Sequence, residues 1–545
     1  MQTTREPYLQ SLSHRGIIRG ATIKDATTCA VLCHYFGGLR YALPPMSRWR
    51  RARPLPPDYL YGTAEQPGEH DSEQGAIRCA NVTSKKGNED CFQCNVWVPC
   101  AGKCPLEGWP VLFAIHGGFL QFGSPNDFSC ARLLGEANFD CIIVTPAYRL
   151  GVLGFLASEE LHQDAAAVGE ESCGNFGFWD QRQALEWTRE NIHLFNGNPL
   201  NITVSGYSAG AYSAFHQLAY DLRLPAEKSI IRQVIMWSNG PGVQPMSAIN
   251  AQKQFNELLS VLDIPYTLSS QEKISHLRSC SPQELIDAGT KLKRHQFRPY
   301  TDSVFIPTHL FRRIDDGWFG HQLEARRVRL MIGECRNEHF VYGSWYPPEN
   351  DSLSSLRRRL EADYSPEICD ALVELYYPTG QLPENCDNWR DAFGHLYADI
   401  QVHMLQRGFI DALTRGVSAV SAAQLVHRYR IEYRVKCVDK MFPPAWGVTH
   451  ATDLAMWFWG NGDILEDHEQ GIVQNALIEP MKRFVQGGSL GADFQWNRNA
   501  VRVSQAWRLR SDGHVDVWED SMWDKGLRVW KVLRNEATLK INANL

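Results

Sequence analysis

The chain alternates short, wholly apolar runs with longer amphipathic stretches. Trp109–Ile115 (WPVLFAI), Cys141–Thr145 (CIIVT), Ile202–Ser205, Val234–Ser238 and 328–333 (VRLMIG) are apolar or β-branched nearly without interruption. Such runs fit strands buried on both faces. Between them the spacing predicts helices over Asp127–Ala137, Asp180–Phe195 and the segment after Gly210. Residues 15–60 show shorter β-like runs, and residues 245–325 and 350–420 read as mainly helical. Gln424–Tyr433 is strand-like, and a further helix is expected around Ala476–Gln486. Strand–helix alternation of this kind predicts an α/β fold, a large mostly parallel central sheet with helices on both faces. No repeat, low-complexity linker or break in composition divides the chain, so residues 1–545 are expected to form one domain.

Composition narrows the function. Of 545 residues 44% are hydrophobic and 17 are Trp, enough for a large core. The net charge of −6 is spread along the chain, which argues against nucleic acid or an anionic membrane as partner. The short basic run Arg48–Arg53 is expected to be a solvated loop. No apolar stretch reaches the roughly 18–20 residues of a membrane helix, and MQTTREPYLQSLSHRG lacks the apolar centre of a secretory signal. The ending INANL shares only its last Leu with a peroxisomal signal. A cytoplasmic location is therefore expected, with most of the 15 Cys reduced. The spacing of Cys91, Cys94, Cys100 and Cys104 is too irregular for a structural zinc site, and the sequons at Asn81, Asn201 and Asn350 carry little weight without secretion.

The candidate chemistry begins at Ser208. Gly206-Tyr207-Ser208-Ala209-Gly210 lies where an apolar strand gives way to a helical run, the setting of a nucleophile elbow. His116-Gly117-Gly118 directly follows a buried strand, as does the loop that presents backbone N–H groups to an oxyanion in ester hydrolases; Ala209 would supply a further donor. A base must follow the serine, and His450 is the best candidate, on a glycine-flanked loop after the Pro443-Pro444 breaker. The acid follows the 328–333 strand, where Glu334 and Glu338 compete and spacing does not choose. Aromatic residues flank these segments (Phe119, Phe122, Trp457, Phe458, Trp459), so an apolar pocket is expected.

At this point the chain resembles the type-B carboxylesterase/lipase family, which includes the cholinesterases, over roughly residues 15–535. The resemblance is carried by FGGLRYALPP (36–45), EDCFQCNVWVP (89–99), YRLGVLGFL (148–156) and GNFGFWDQ (174–181), beside the elbow and the His-Gly-Gly loop. It implies the α/β-hydrolase fold with helical insertions over the active site. The family's acid segment falls on Gly333–His339 and selects Glu338; its histidine segment falls on Gly447–Leu454 and selects His450. The implied catalytic residues are Ser208, Glu338 and His450, with Gly117, Gly118 and Ala209 as oxyanion hole. The resemblance further implies that Ser238 hydrogen-bonds the acid from behind and that Arg149 and Asp180 form a scaffold ion pair.

The activity so implied is hydrolysis of an ester of an apolar or medium-sized organic molecule through an acyl-enzyme, with no metal or organic cofactor. Lactone hydrolysis, thioester release or acyl transfer in secondary metabolism would use the same residues, and a non-catalytic binding role on the same fold is a remoter alternative. Three departures stand out. Tyr207 replaces the elbow's usual Glu, and His339 replaces the usual Gly after the acid. The loop that the family closes with a disulfide would here be Cys79–Cys91, and it lacks the Trp used for quaternary ammonium groups.

Overall fold

The structure, a computed structural model, describes residues 3–71, 73–83, 87–100, 102–171, 173–487 and 502–534. The C-terminal INANL and the far end of the expected 15–535 core lie outside the described residues. A single large sheet organises the molecule. In spatial order its strands are Thr3–Ser11, Ile17–Asp25, Val31–Arg40, Gln93–Pro99, Ile142–Pro146, Trp109–Ile115, Gly197–Tyr207, Ile231–Trp237, Arg329–Cys335, Val426–Ile431, Gln505–Leu509 and Val515–Glu519. From Ile142–Pro146 to Gln505–Leu509 neighbouring strands are parallel. The N-terminal flank and the last strand pair antiparallel.

The physical cause of this arrangement is visible in Trp109–Ile115, every residue of which is buried. Leu112 and Ala114 pack into one hydrophobic cluster and Val111, Phe113 and Ile115 into another. A strand with two apolar faces needs a layer on each. Helices Phe176–Asn191 and Ala209–Asp221 contribute to the second cluster, Glu479–Val485 to the first.

Several sequence expectations shift. The Asp127–Ala137 helix is reduced to a single turn at Pro125–Asp127 and a short helix at Ala131–Gly135. Gln424 belongs to a helix, Ala419–Leu425, and the strand begins at Val426. The Arg48–Arg53 run is no solvated loop. Trp49 is buried with its indole N–H on Val152 O, Arg48 pairs with Glu89 and Arg50 with Asp164. Arg51 lies over the Trp179 ring at 3.6 Å. The basic run is thus a clamp between loops, which its charge alone did not reveal. The expected Arg149–Asp180 pair is present, fully buried and bidentate at 2.7 and 2.8 Å. Cys79 and Cys91 adjoin as free thiols.

Candidate active site

The candidate residues gather at the carboxyl ends of the central parallel strands, where side chains and loops of an open α/β sheet converge. The elbow is set by sterics. Ser208 has φ 57° and ψ −120°, a left-handed strained conformation between the Gly197–Tyr207 strand and the Ala209–Asp221 helix. Its N–H donates to Trp237 O at 2.9 Å, which ties the turn to the next strand. A Cβ on Gly206 would lie 2.0 Å from Gly210 O, and one on Gly210 would lie 2.0 Å from Ile115 O. No L side chain fits at either position, so the Gly-x-Ser-x-Gly spacing is a packing requirement.

The His-Gly-Gly loop lies against the same turn. A Cβ on Gly117 would meet Tyr207 O at 2.7 Å and Ser208 Cβ at 3.1 Å. Gly118 has φ +102° and its O accepts from the N–H groups of Gln121 and Phe122. The loop is held from below by His116, whose ring stacks on Tyr148 at 4.4 Å, while the Tyr148 hydroxyl donates to His116 O at 2.9 Å. Gly117 is therefore brought against Ser208, with Gly118 next to it in the loop and Ala209 following the serine in the chain.

The two carboxylates part company. Glu338 is wholly buried; its Oε2 lies 2.5 Å from His450 Nδ1 and its Oε1 accepts from the Cys335 N–H at 2.9 Å. Glu334 faces elsewhere, held by Arg407 at 2.8 and 3.0 Å, Arg430 at 2.5 Å and His403 at 2.9 Å. Burial opposes its ionisation, but the charges of Arg407, His403 and Arg430 outweigh it and hold its carboxyl well below the usual range. His450 Nε2 is buried and carries no hydrogen bond.

The expected contact from Ser238 is not made: Ser238 is buried and its Oγ closes no hydrogen bond to Glu338. The Cys335 amide serves Glu338 instead, because the chain turns back on itself between residues 335 and 338.

Three residues that sequence reasoning did not single out complete the site. Tyr342 is buried on the short helix His339–Ser344 that follows the acid. Its ring lies 4.8 Å from that of His450 and 6.1 Å from Phe119, and its hydroxyl sits beside Ser208 without closing a hydrogen bond. Asp453, three residues after His450, is wholly buried, with Oδ2 accepting from Trp457 Nε1 at 3.2 Å and Oδ1 unpartnered. Burial, and next the Glu338 charge, push its carboxyl up to about 6. Arg298 is buried in the wall of the cavity at Ser208. Tyr342 and Asp453 lie within four residues of Glu338 and His450, which was a usable signal; Arg298 is distant in sequence and gave none.

Tyr207 has a structural task in place of the family's Glu. Its hydroxyl accepts from the Ala451 N–H, next to His450, and its ring lies 5.0 Å from the imidazole. It thereby braces the histidine loop, in which Ala451 has φ 75°. His339 stacks on His395 at 3.9 Å.

The expected aromatic lining of the pocket is corrected in part. The cavity at the serine is lined by Phe119, Ser208, Ala209, Tyr212, Asn239, Gly242, Val243, Arg298, Tyr342 and Gln401, and encloses only about 10 Å³, room for about one water. Its walls are mixed, with Phe119, Ala209 and Val243 beside Asn239, Arg298 and Gln401. Trp457, Phe458 and Trp459 lie in the core, with Trp457 and Phe458 against Trp237. Phe122 packs on Trp345. Of the flanking rings Phe119 lines the cavity, whereas Trp457, Phe458 and Trp459 serve the core.

An elbow serine, a glycine loop and a buried acid–imidazole pair on this sheet belong to the α/β-hydrolase class. The fold matches that of EstA from Aspergillus niger with a TM-score of 0.72, at 21% identity and covering 97% of this chain and 98% of that one. Residues 9–518 match the model of the carboxylesterase family, and the chain belongs to that family. It is 44% identical to a carboxylic ester hydrolase of Gibberella moniliformis over 98% of this chain and 97% of that protein. It is 36% identical to an uncharacterized esterase/lipase of Schizosaccharomyces pombe over 97% of each. A para-nitrobenzyl esterase of Bacillus subtilis is 28% identical over 79% of this chain and 80% of its own. The protein is accordingly a hydrolase of the carboxylesterase type. Among the described residues no helix is long and apolar enough to cross a membrane.

Proposed function

We propose that the protein hydrolyses a small-molecule carboxylic ester through a Ser208–His450–Glu338 triad and an acyl-enzyme. The observation that carries this reading is the buried 2.5 Å contact between Glu338 Oε2 and His450 Nδ1, the imidazole lying 5.0 Å from the ring of Tyr207, which precedes the elbow serine. With Nδ1 engaged by the carboxylate, the imidazole's other nitrogen is the one free to take a proton. His450 Nε2 accepts the Ser208 hydroxyl proton as Oγ attacks the ester carbonyl. The N–H groups of Gly117, Gly118 and Ala209 stabilise the oxyanion, and the positive end of the Ala209–Asp221 helix adds to them. Collapse expels the alcohol, protonated by His450; a water activated by the same imidazole then releases the acid. Glu338 stays ionised and holds the imidazolium. No step calls for a metal or organic cofactor.

The test is labelling by a fluorophosphonate probe and hydrolysis of short and medium p-nitrophenyl esters, with Ser208→Ala as control. Labelling and turnover that vanish together in the variant support the reading. A folded native protein that takes no label overturns it.

A further inference from the structure

Arg298 is wholly buried in the wall of the cavity that holds Ser208. A guanidinium is always charged in proteins, and a buried charge demands a partner. Here the partner is shared. Asp363 Oδ1 accepts from Arg298 Nη2 at 3.0 Å, while its Oδ2 accepts from Arg359 Nη1 at 3.1 Å and from the Tyr397 hydroxyl at 2.6 Å. Among the described residues every ion pair of Arg298 and of Arg359 ends on this one carboxylate. Two guanidiniums on one carboxylate leave one positive charge unbalanced. His295 adds none, because burial and then the Arg359 and Arg298 charges push its imidazole down towards the neutral form.

The same neighbourhood is short of acceptors. In the cavity wall Arg298 Nε is buried without a hydrogen-bond partner; Arg359 Nη2 and Gln296 Nε2, outside the lining, also lack one, and Gln296 Oε1 is occupied by Arg298 Nη2. Native interiors rarely leave buried donors without a partner, whether protein, water or ligand. A carboxylate supplies both what is missing: a negative charge and acceptors in the planar geometry that suits a guanidinium. The rest of the cavity wall mixes apolar residues such as Phe119 and Val243 with Asn239, Gln401 and Tyr342, and holds no competing anion.

We propose that Arg298 selects esters whose acyl part carries a second carboxylate, so that the preferred substrates are half-esters of short dicarboxylic acids. This rests on the esterase reading of Ser208. In the reaction, water cleaves the acyl carbon–oxygen bond of the half-ester and gives the dicarboxylate, the alcohol and one proton. The distal carboxylate is not altered and serves only as the handle that Arg298 holds. The chain between the two carboxyl groups is short because Arg298 and Ser208 line the same small cavity.

The experiment compares monoethyl succinate with ethyl 4-methylpentanoate, in which an isopropyl group of the same shape replaces the carboxylate. The native enzyme is expected to favour the half-ester at least tenfold in kcat/KM. In Arg298→Met that ratio falls 10–100-fold, and Arg298→Lys recovers part of it. If the variants do not fold, inhibition of the native enzyme decides: free succinate competes with neutral esters and 4-methylpentanoate does so at least tenfold more weakly. A native preference for the neutral ester, or a ratio unchanged in folded Arg298→Met, overturns the proposal. Failure of both esters together with absent fluorophosphonate labelling overturns the underlying esterase reading instead.

Discussion

Glu338 Oε2 lies 2.5 Å from His450 Nδ1, across 112 residues of chain, with both side chains almost wholly shielded from water. A charge-assisted hydrogen bond in so dry a setting fixes the ring and its tautomer together. Four residues upstream Glu334 shares none of this, being neutralised by Arg407, Arg430 and His403.

The two glutamates therefore fail differently. Glu338→Gln is expected to lower kcat by about 10³–10⁴ with the fold intact, since it presents the wrong group to Nδ1. Glu334→Gln leaves Arg407 and Arg430 with a neutral partner and is expected to cost about 3–5 kcal/mol of stability, with kcat per folded molecule retained. Steady-state kinetics beside urea unfolding separates the two. A Glu334→Gln protein that is stable but inactive would reverse the assignment.

Tyr207 is expected to act through the loop it braces. Tyr207→Phe keeps the ring but leaves the Ala451 N–H without its acceptor, at a cost of about 1–3 kcal/mol. His450 is then held less firmly, so kcat falls several-fold while KM changes little. Equal kcat in the two proteins, measured below the melting transition, would show that the ring alone does the work.

Asp453 gives stability a sign with pH. Its carboxyl is pushed up to about 6 in the fold from an ordinary value of 3.8, so between these values the folded state holds the extra proton. Its contribution is fully present below about pH 4, declines as pH rises, and is lost above about pH 6. In Asp453→Asn no such loss occurs. The variant is expected to gain Tm relative to native as pH goes from 4 to 7, measured by differential scanning calorimetry. Parallel Tm profiles for the two proteins would refute the assignment.

Tyr342 fills the space in front of Ser208, its ring against His450 and Phe119. With only about 10 Å³ free, an acyl chain enters as this ring gives way. Tyr342→Ala is expected to raise kcat/KM for hexanoyl relative to acetyl p-nitrophenyl esters by about tenfold, roughly the effect of one or two methylenes gained in a pocket. An unchanged chain-length profile would show that acyl groups lie elsewhere.

Much of the site was legible before folding because it is local. Gly206 and Gly210 are dictated by carbonyls within 2.0 Å of any added Cβ. The His-Gly-Gly loop and the strands beneath it are equally short-range, and sequence motifs record such constraints well. The choice of Glu338 over Glu334 was not legible from spacing and needed the family resemblance. The aromatic run 457–459 misled because the same rings serve a core or a pocket; here Trp457 and Phe458 pack on Trp237.

By itself the chain determined the alternation of buried strands and helices, the elbow with Ser208, His450 as the best base, and the competing pair Glu334 and Glu338. Each depends on neighbours within a few residues or on a strand's two apolar faces. Only the tertiary structure decided that Ser238 makes no hydrogen bond to Glu338, that Tyr207 braces Ala451, and that Arg298, in the cavity at Ser208, shares Asp363 with Arg359. Those outcomes turn on distances between segments far apart in sequence, and on how a limited set of buried charges divides among its partners.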